Sequence, residues 1–177
     1  MEAHRSALLH LSLRTMVVHT VTYSVVGMAA FFLLDYSTLF SEPGYSAVMR
    51  PVDDPLVVAG SLFQPIRGLL FGIVLYLLRD SLFKTKEGWL VAWVTLVILG
   101  IVSTFGPSPG SLEGLVYTTI PVERQLLALP EVMVQSFLLA GILFYWVNHP
   151  KRWVTGVLLA GFVVALTLPV LGLLAGL

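Results

Sequence analysis

The chain has 177 residues, of which 57% are hydrophobic and 11% charged, with no formal net charge and a mean hydropathy of +0.91. A soluble domain carries about 25% charged residues, so this deficit excludes a protein that must cover itself with polar surface and points to an integral membrane protein. There is no cysteine, which removes disulfides, thiolate metal sites and thiol chemistry, and the even charge balance offers nothing to a nucleic acid.

Residues 1–14 mix Leu8, Leu9, Leu11 and Leu13 with Arg5 and Arg14. They are too polar to span, and read as a cytoplasmic N-terminal segment that lies along the membrane interface or frays as a tail. A membrane helix needs about 20 mostly apolar residues, and residues 15–34 supply the first. His19, Thr20, Tyr23, Ser24 and Gly27 gather on one side of its helical wheel, with Val17, Val21, Val25 and Phe32 on the other. The polar side is expected to face the helix bundle and the valine side lipid. The run is too long and too polar for the core of a cleaved signal peptide.

The polar, turn-rich loop 35–55 closes with Asp53-Asp54-Pro55. That pattern reads as an N-cap and a first helical residue rather than a cation site. The second span, 56–78, carries Arg67 near its middle. A guanidinium at membrane depth costs about 2.5–3.5 kcal/mol on insertion scales, so water, a carboxylate, a ligand or a partner chain must compensate it. Ser61, Gln64 and Arg67 fall at three-residue steps and share a face. Pro65 removes a backbone donor and predicts a bend. Gly68 and Gly72 form a small-xxx-small pair suited to close helix contact.

The third span is 88–105, the fourth 126–147 and the fifth 153–174. Between the third and fourth, loop 106–125 joins a Gly-Pro-Ser-Pro-Gly turn to an apolar stretch. A surface helical turn capped by Ser111 is expected there; the alternative is a re-entrant loop with Glu113 facing an external vestibule. Gly72-Ile73-Val74-Leu75-Tyr76 is echoed by Gly141-Ile142-Leu143-Phe144-Tyr145, each ahead of a basic loop and a tryptophan. If that echo is a duplication, the second and third helices pair as one hairpin and the fourth and fifth as another. The same residues are also what any membrane boundary favours.

The expected fold is therefore all-α: a polytopic membrane protein whose five transmembrane helices form a single domain over 15–177. Arg5, Arg14, Arg79, Lys84, Lys86, Lys151 and Arg152 fall on one side; the other has only Arg50 and Arg124 against Asp35, Glu42, Asp53, Asp54, Glu113 and Glu123. The positive-inside rule places the N-terminus in the cytoplasm and the C-terminus outside, in a cell (inner) membrane. Trp89, Trp93, Trp146 and Trp153 fall at the same cytoplasmic boundary, where amphipathic rings prefer to sit.

The polar residues converge in the outer half. At 1.5 Å per residue, Arg67 lies about 16 Å below the outer boundary, Gln135 about 13–14 Å and Glu131 about 7–8 Å. Arg67, Gln64, Glu131 and Gln135, with Tyr23 and Ser24 from the first helix, form the expected ligand-binding set. The leading reading is binding or permeation of a small anionic or amphiphilic solute. The runner-up is an accessory or structural subunit in which Arg67 and Glu131 form an ion pair that fixes helix register. The third is a lipid-modifying enzyme, with Glu131 or His19 as acid or base and Arg67 holding a phosphate. Nothing has catalytic spacing: there is no His-Glu-x-x-His, no nucleotide-binding glycine loop and no serine nucleophile motif. His19 and His149 lack any haem-ligation motif, so no cofactor or metal is expected. Five helices are few for a complete carrier, which points to membrane lipid and either a homo-oligomer or a larger membrane complex as partners.

Overall fold

The computed structural model describes residues 2–176. Among them 79% are helical and none is in a strand. The elements are α1 (Glu2–Leu33), α2 (Tyr36–Ser41), α3 (Pro55–Val58), a 3-10 stretch Ala59–Phe63, α4 (Gln64–Leu77), α5 (Arg79–Phe83), α6 (Gly88–Val97) continuing as a π stretch Ile98–Val102, α7 (Leu112–Tyr117), α8 (Val122–Asn148) and α9 (Arg152–Ala175).

Four helical segments are long and apolar enough to cross a membrane: His4–Leu33, Pro55–Leu77, Val122–Asn148 and Arg152–Ala175. The third expected span is shorter than the sequence implied. It covers Gly88–Val102, which is about 22 Å at 1.5 Å per residue, against about 30 Å for a hydrocarbon core. Ser103 ends it by turning both its N–H (2.8 Å) and its hydroxyl (2.6 Å) onto the Ile98 carbonyl.

The two predicted caps form. Asp54 accepts the Leu56 N–H at 2.8 Å, with Pro55 opening α3. Ser111 accepts the Gly114 N–H at 2.9 Å and opens α7. The predicted disturbance at Pro65 takes the form of a 3-10 stretch. The Gln64 N–H reaches the Ser61 carbonyl, one turn before the ring of Pro65, and the helix regains α geometry from there.

α1 differs most from expectation. It does not break near residue 14 but runs unbroken from Glu2 for 32 residues, about 48 Å. Its early turns continue the same helix and dock at their inner end. Leu11, Ser12 and Thr15 are buried, and His4 Nδ1 lies 3.2 Å from the Tyr76 hydroxyl. Partners on α4, α8 and α9 surround it, which makes α1 the central helix. Val17 and Val18 are therefore buried, while only farther along do Val25 (61% exposed) and Phe32 (72%) present the lipid-facing surface predicted for that side.

α1 and α4 pack antiparallel in a register that can be read residue by residue. Tyr76 meets His4, Gly72 meets Ser12, Gly68 meets Met16, and Gln64 meets His19. The two glycines make the approach possible, since a methyl on Gly68 would stand 2.6 Å from the Met16 Cα. The small-xxx-small pair is thus the contact point of the tightest interface.

The sequential hairpins do not form the packing units. α6 lies on α8, where Trp89 and Trp93 set their edges against Phe137 and Trp93 donates to the Met133 carbonyl at 3.2 Å. α9 lies against α1 at Gly161–Val21 and against α3 at Gly172–Val58. Trp146 is 4% exposed and donates to Thr155 at 3.0 Å, so it is a core residue rather than a boundary anchor. At the end opposite the basic loops, a second small core of Leu39, Tyr45 and Ile120 sits beside the stacked rings of Tyr36, Phe40 and Tyr45.

Candidate functional site

The inward face of α1 carries a run of buried hydroxyls that need no neighbour. Thr15, Thr20 and Thr22 each return their proton to the carbonyl four residues earlier, at 2.8–2.9 Å. His19 cannot do so, because its ring projects past the helix backbone. It is 1% exposed, and its two nitrogens are met from opposite sides. Gln64 Oε1 of α4 lies 3.1 Å from Nε2, and Gln135 Nε2 of α8 lies 3.3 Å from Nδ1. An amide carbonyl on one side and an amide N–H on the other define the tautomer: Nε2 carries the proton and Nδ1 accepts. Gln64 in turn donates to the Gly60 carbonyl at 3.2 Å. The outcome is a polar bar that crosses the bundle through α1 and ties three helices at one level.

Arg67 stands one turn from Gln64 on α4. Its side is exposed, its guanidinium lies 5.4 Å from the centre of the Phe71 ring, and Phe71 also touches His19 edge-on at 5.0 Å. Among the described residues the ion pairs are Arg50–Asp54, Arg79–Asp80, Lys84–Asp80 and Arg124–Glu42. The expected Arg67–Glu131 pair does not form. Glu131 takes a different partner: it accepts the Tyr36 hydroxyl, with its other oxygen against Gly27 of α1. α2 turns back over the end of α1 and brings a phenol to Glu131. Burial, followed by this bond to Glu131, pushes the Tyr36 phenol above its usual range, so it stays a donor.

Tyr23 and Ser24 lie between these centres. The Tyr23 ring is 6.3 Å from His19, its hydroxyl comes close to Gly60, and it is near enough to both Arg67 and Glu131 to interact with each charge. Ser24 contacts Ser61 at 3.5 Å. The six expected residues therefore divide. Gln64, Gln135 and Tyr23 assemble around His19 with Arg67 at the open side; Ser24 flanks them; Glu131 belongs to a separate contact with Tyr36.

Two polar centres were not anticipated. His19 is the hub, though the sequence offers it only as a member of the polar side of its helix, a candidate acid or base and a haem ligand without a motif; an antiparallel register with Gln64 is the signal that finds its place. Gln125, 1% exposed, organises the loop 106–125. It accepts the Gly110 N–H at 3.2 Å and donates to the Gly114 carbonyl, the Thr118 hydroxyl and the Ile120 carbonyl at 3.3, 3.2 and 2.8 Å. Among the described residues no three His, Asp or Glu gather as a metal site.

Comparison of the chain with protein-family models, with curated proteins and with solved structures finds no match to any of them.

Proposed function

We propose that the chain is a five-span protein of the cell (inner) membrane, with its N-terminus and basic loops on the cytoplasmic side. Its centre at Arg67, Gln64, His19 and Gln135 binds or passes a small anionic or amphiphilic solute. Gly88–Val102 counts as the fifth span in this reading, short enough to thin the bilayer locally or to lean on α8. The charge asymmetry of the loops supports the orientation.

The observation that carries the functional reading is Arg67 itself. It is a permanent cation on an apolar helix, exposed, with no carboxylate of the described residues paired to it, beside a buried hydrogen-bonded bar. An isolated guanidinium at that depth requires an anion or water. The test is Arg67→Met in liposomes, reading efflux of chloride and of small carboxylates such as acetate and lactate, with the fold checked by circular dichroism and gel filtration. A folded variant with flux or binding reduced tenfold or more is expected; a folded variant with unchanged flux overturns the reading.

The runner-up is an accessory subunit of a larger membrane complex, favoured by the company Arg67 keeps. Phe63 (53%), Ile66 (61%) and Leu70 (59%) are exposed around it, so a partner chain's carboxylate would satisfy the cation equally well. A larger species in mild detergent that dissociates on Arg67→Met supports this second reading. No observation favours the lipid-modifying enzyme, since Glu131 is held by Tyr36.

A further inference from the structure

At the basic end, α1, α4, α5 and the last turn of α8 enclose an open cleft of about 460 Å³. Arg14, Arg79 and Lys84 line it, with Asp80 the only carboxylate among the lining residues. Asp80 pairs with Lys84 at 2.7 Å and, more loosely, with Arg79 at 3.9 Å, so one carboxylate faces three cations and the cleft keeps an excess of positive charge. Both guanidiniums are held in place. Arg14 lies 5.3 Å from the centre of the Trp146 ring and donates to the Trp146 carbonyl at 3.3 Å. Arg79 lies 4.3 Å from the Tyr76 ring and donates to the Tyr76 carbonyl at 2.9 Å. The two platforms are themselves fixed, Trp146 being 4% and Tyr76 8% exposed. A guanidinium has five N–H donors in a planar fork, and each of these spends one on a carbonyl, so most of the fork remains for an oxyanion. Leu11, Phe83 and Val147 supply an apolar wall to the same cleft.

Two anchored forks in a cleft with excess positive charge, above an apolar wall and at the end where basic loops gather, match a phosphate attached to an acyl chain. We propose that this cleft binds the phosphate of an anionic phospholipid headgroup in the leaflet at the basic end, with Arg14 and Arg79 as the recognising residues. The proposal rests on the membrane assignment but not on Arg67 or its solute.

The test uses the full chain in mild detergent, titrated with phosphatidylglycerol, phosphatidylcholine or inorganic phosphate and read by native mass spectrometry. Phosphatidylglycerol should bind in preference to phosphatidylcholine. Arg14→Gln and Arg79→Gln should each weaken it about fivefold, and the pair about thirtyfold. The Lys151→Gln/Arg152→Gln variant, basic but outside the cleft, should leave it unchanged. If the Arg14/Arg79 double variant does not fold, Lys84→Glu replaces it, since Lys84 is 73% exposed at the rim. The added carboxylate there should weaken the lipid at least fivefold. Equal affinity for the two lipids, unchanged affinity in the cleft variants, or an equal loss in the Lys151/Arg152 control overturns the proposal. Binding of inorganic phosphate with the same arginine dependence and the same affinity identifies free phosphate as the ligand and overturns the headgroup assignment.

Discussion

Gly68→Ala adds one methyl group at one of the two close approaches of the α1–α4 interface, the other being Gly72. The new carbon would stand 2.6 Å from the Met16 Cα and 3.2 Å from both the Met16 carbonyl oxygen and the His19 Cβ. Carbon atoms rest at about 3.5–4.0 Å, so the nearest contact must open by about 1 Å. Its partner is backbone, which cannot rotate away, so the two helices must separate or tilt along their shared length. Overpacking of this kind costs about 1–3 kcal/mol, opposed by the roughly 1 kcal/mol that alanine gains over glycine as a helix former. The shift also draws His19 away from Gln64, whose 3.1 Å contact lies one turn along. Gly156 in α9 is the control, because a methyl there meets nothing within 4 Å. Equilibrium unfolding in mixed micelles should show Gly68→Ala losing stability and Gly156→Ala unchanged or improved. Equal stability of the two variants would refute the close approach of α1 and α4.

Gln125→Ala should strand the Gly110 N–H and the Ile120 carbonyl in a dry site. A buried unpaired group costs about 1–3 kcal/mol, and the loss should appear as faster hydrogen exchange and proteolysis across 106–125 with the spans intact. Ser12→Ala should cost nothing and stabilise by up to about 1 kcal/mol. The Ser12 hydroxyl is buried without a partner among the described residues, and alanine keeps the space that Gly72 needs. Acid should loosen the loops first. Hydrogen bonds from Ser37 and Thr38 hold Asp35 below the usual carboxylate range, the Leu56 N–H and then Arg50 do so for Asp54, and Lys84 for Asp80. The unfolded chain takes up these protons at the higher pH, near 3.8. The stabilisation is therefore fully present above that value and lost as pH falls through the lowered folded values. Limited proteolysis of the loops from pH 6 downward should show no change until that window; a transition centred near pH 6 would contradict the assignment.

Local rules read well from this sequence where local physics decides. Asp54-Pro55 and Ser111 cap helices because the cap is satisfied within four residues, and tertiary context has little to add. The Gly68/Gly72 pair was legible for a related reason: a strip free of side chains on an apolar helix has few uses other than close approach. The partnerships were not legible. Glu131 and Arg67 differ by about 9 Å in depth and pair only if their helices touch side by side, which a sequence does not reveal; a phenol from α2 takes Glu131 instead. The early turns of α1 read as an interfacial segment or a frayed tail; they continue the helix because α4 lies alongside as far as Tyr76. The packing of α6 on α8 rather than α4 depends on where Trp89 and Trp93 find Phe137, a long-range choice that a hydropathy pattern does not contain.

The threonines of α1 bear on how the chain is made. In the five-span reading, a central helix that precedes its partners in the chain waits in lipid before they exist. Thr15, Thr20 and Thr22 are indifferent to that wait, since each closes its hydroxyl on its own helix. His19 is not, and the first residue in synthesis order able to relieve it is Gln64. The glycines that admit α4 follow within the next turns, at positions 68 and 72. On that reading the arrival of α4 is a natural checkpoint in biogenesis: before it the His19 imidazole lacks a partner, and after it α1 and α4 form a helical pair on which α8 and α9 can dock.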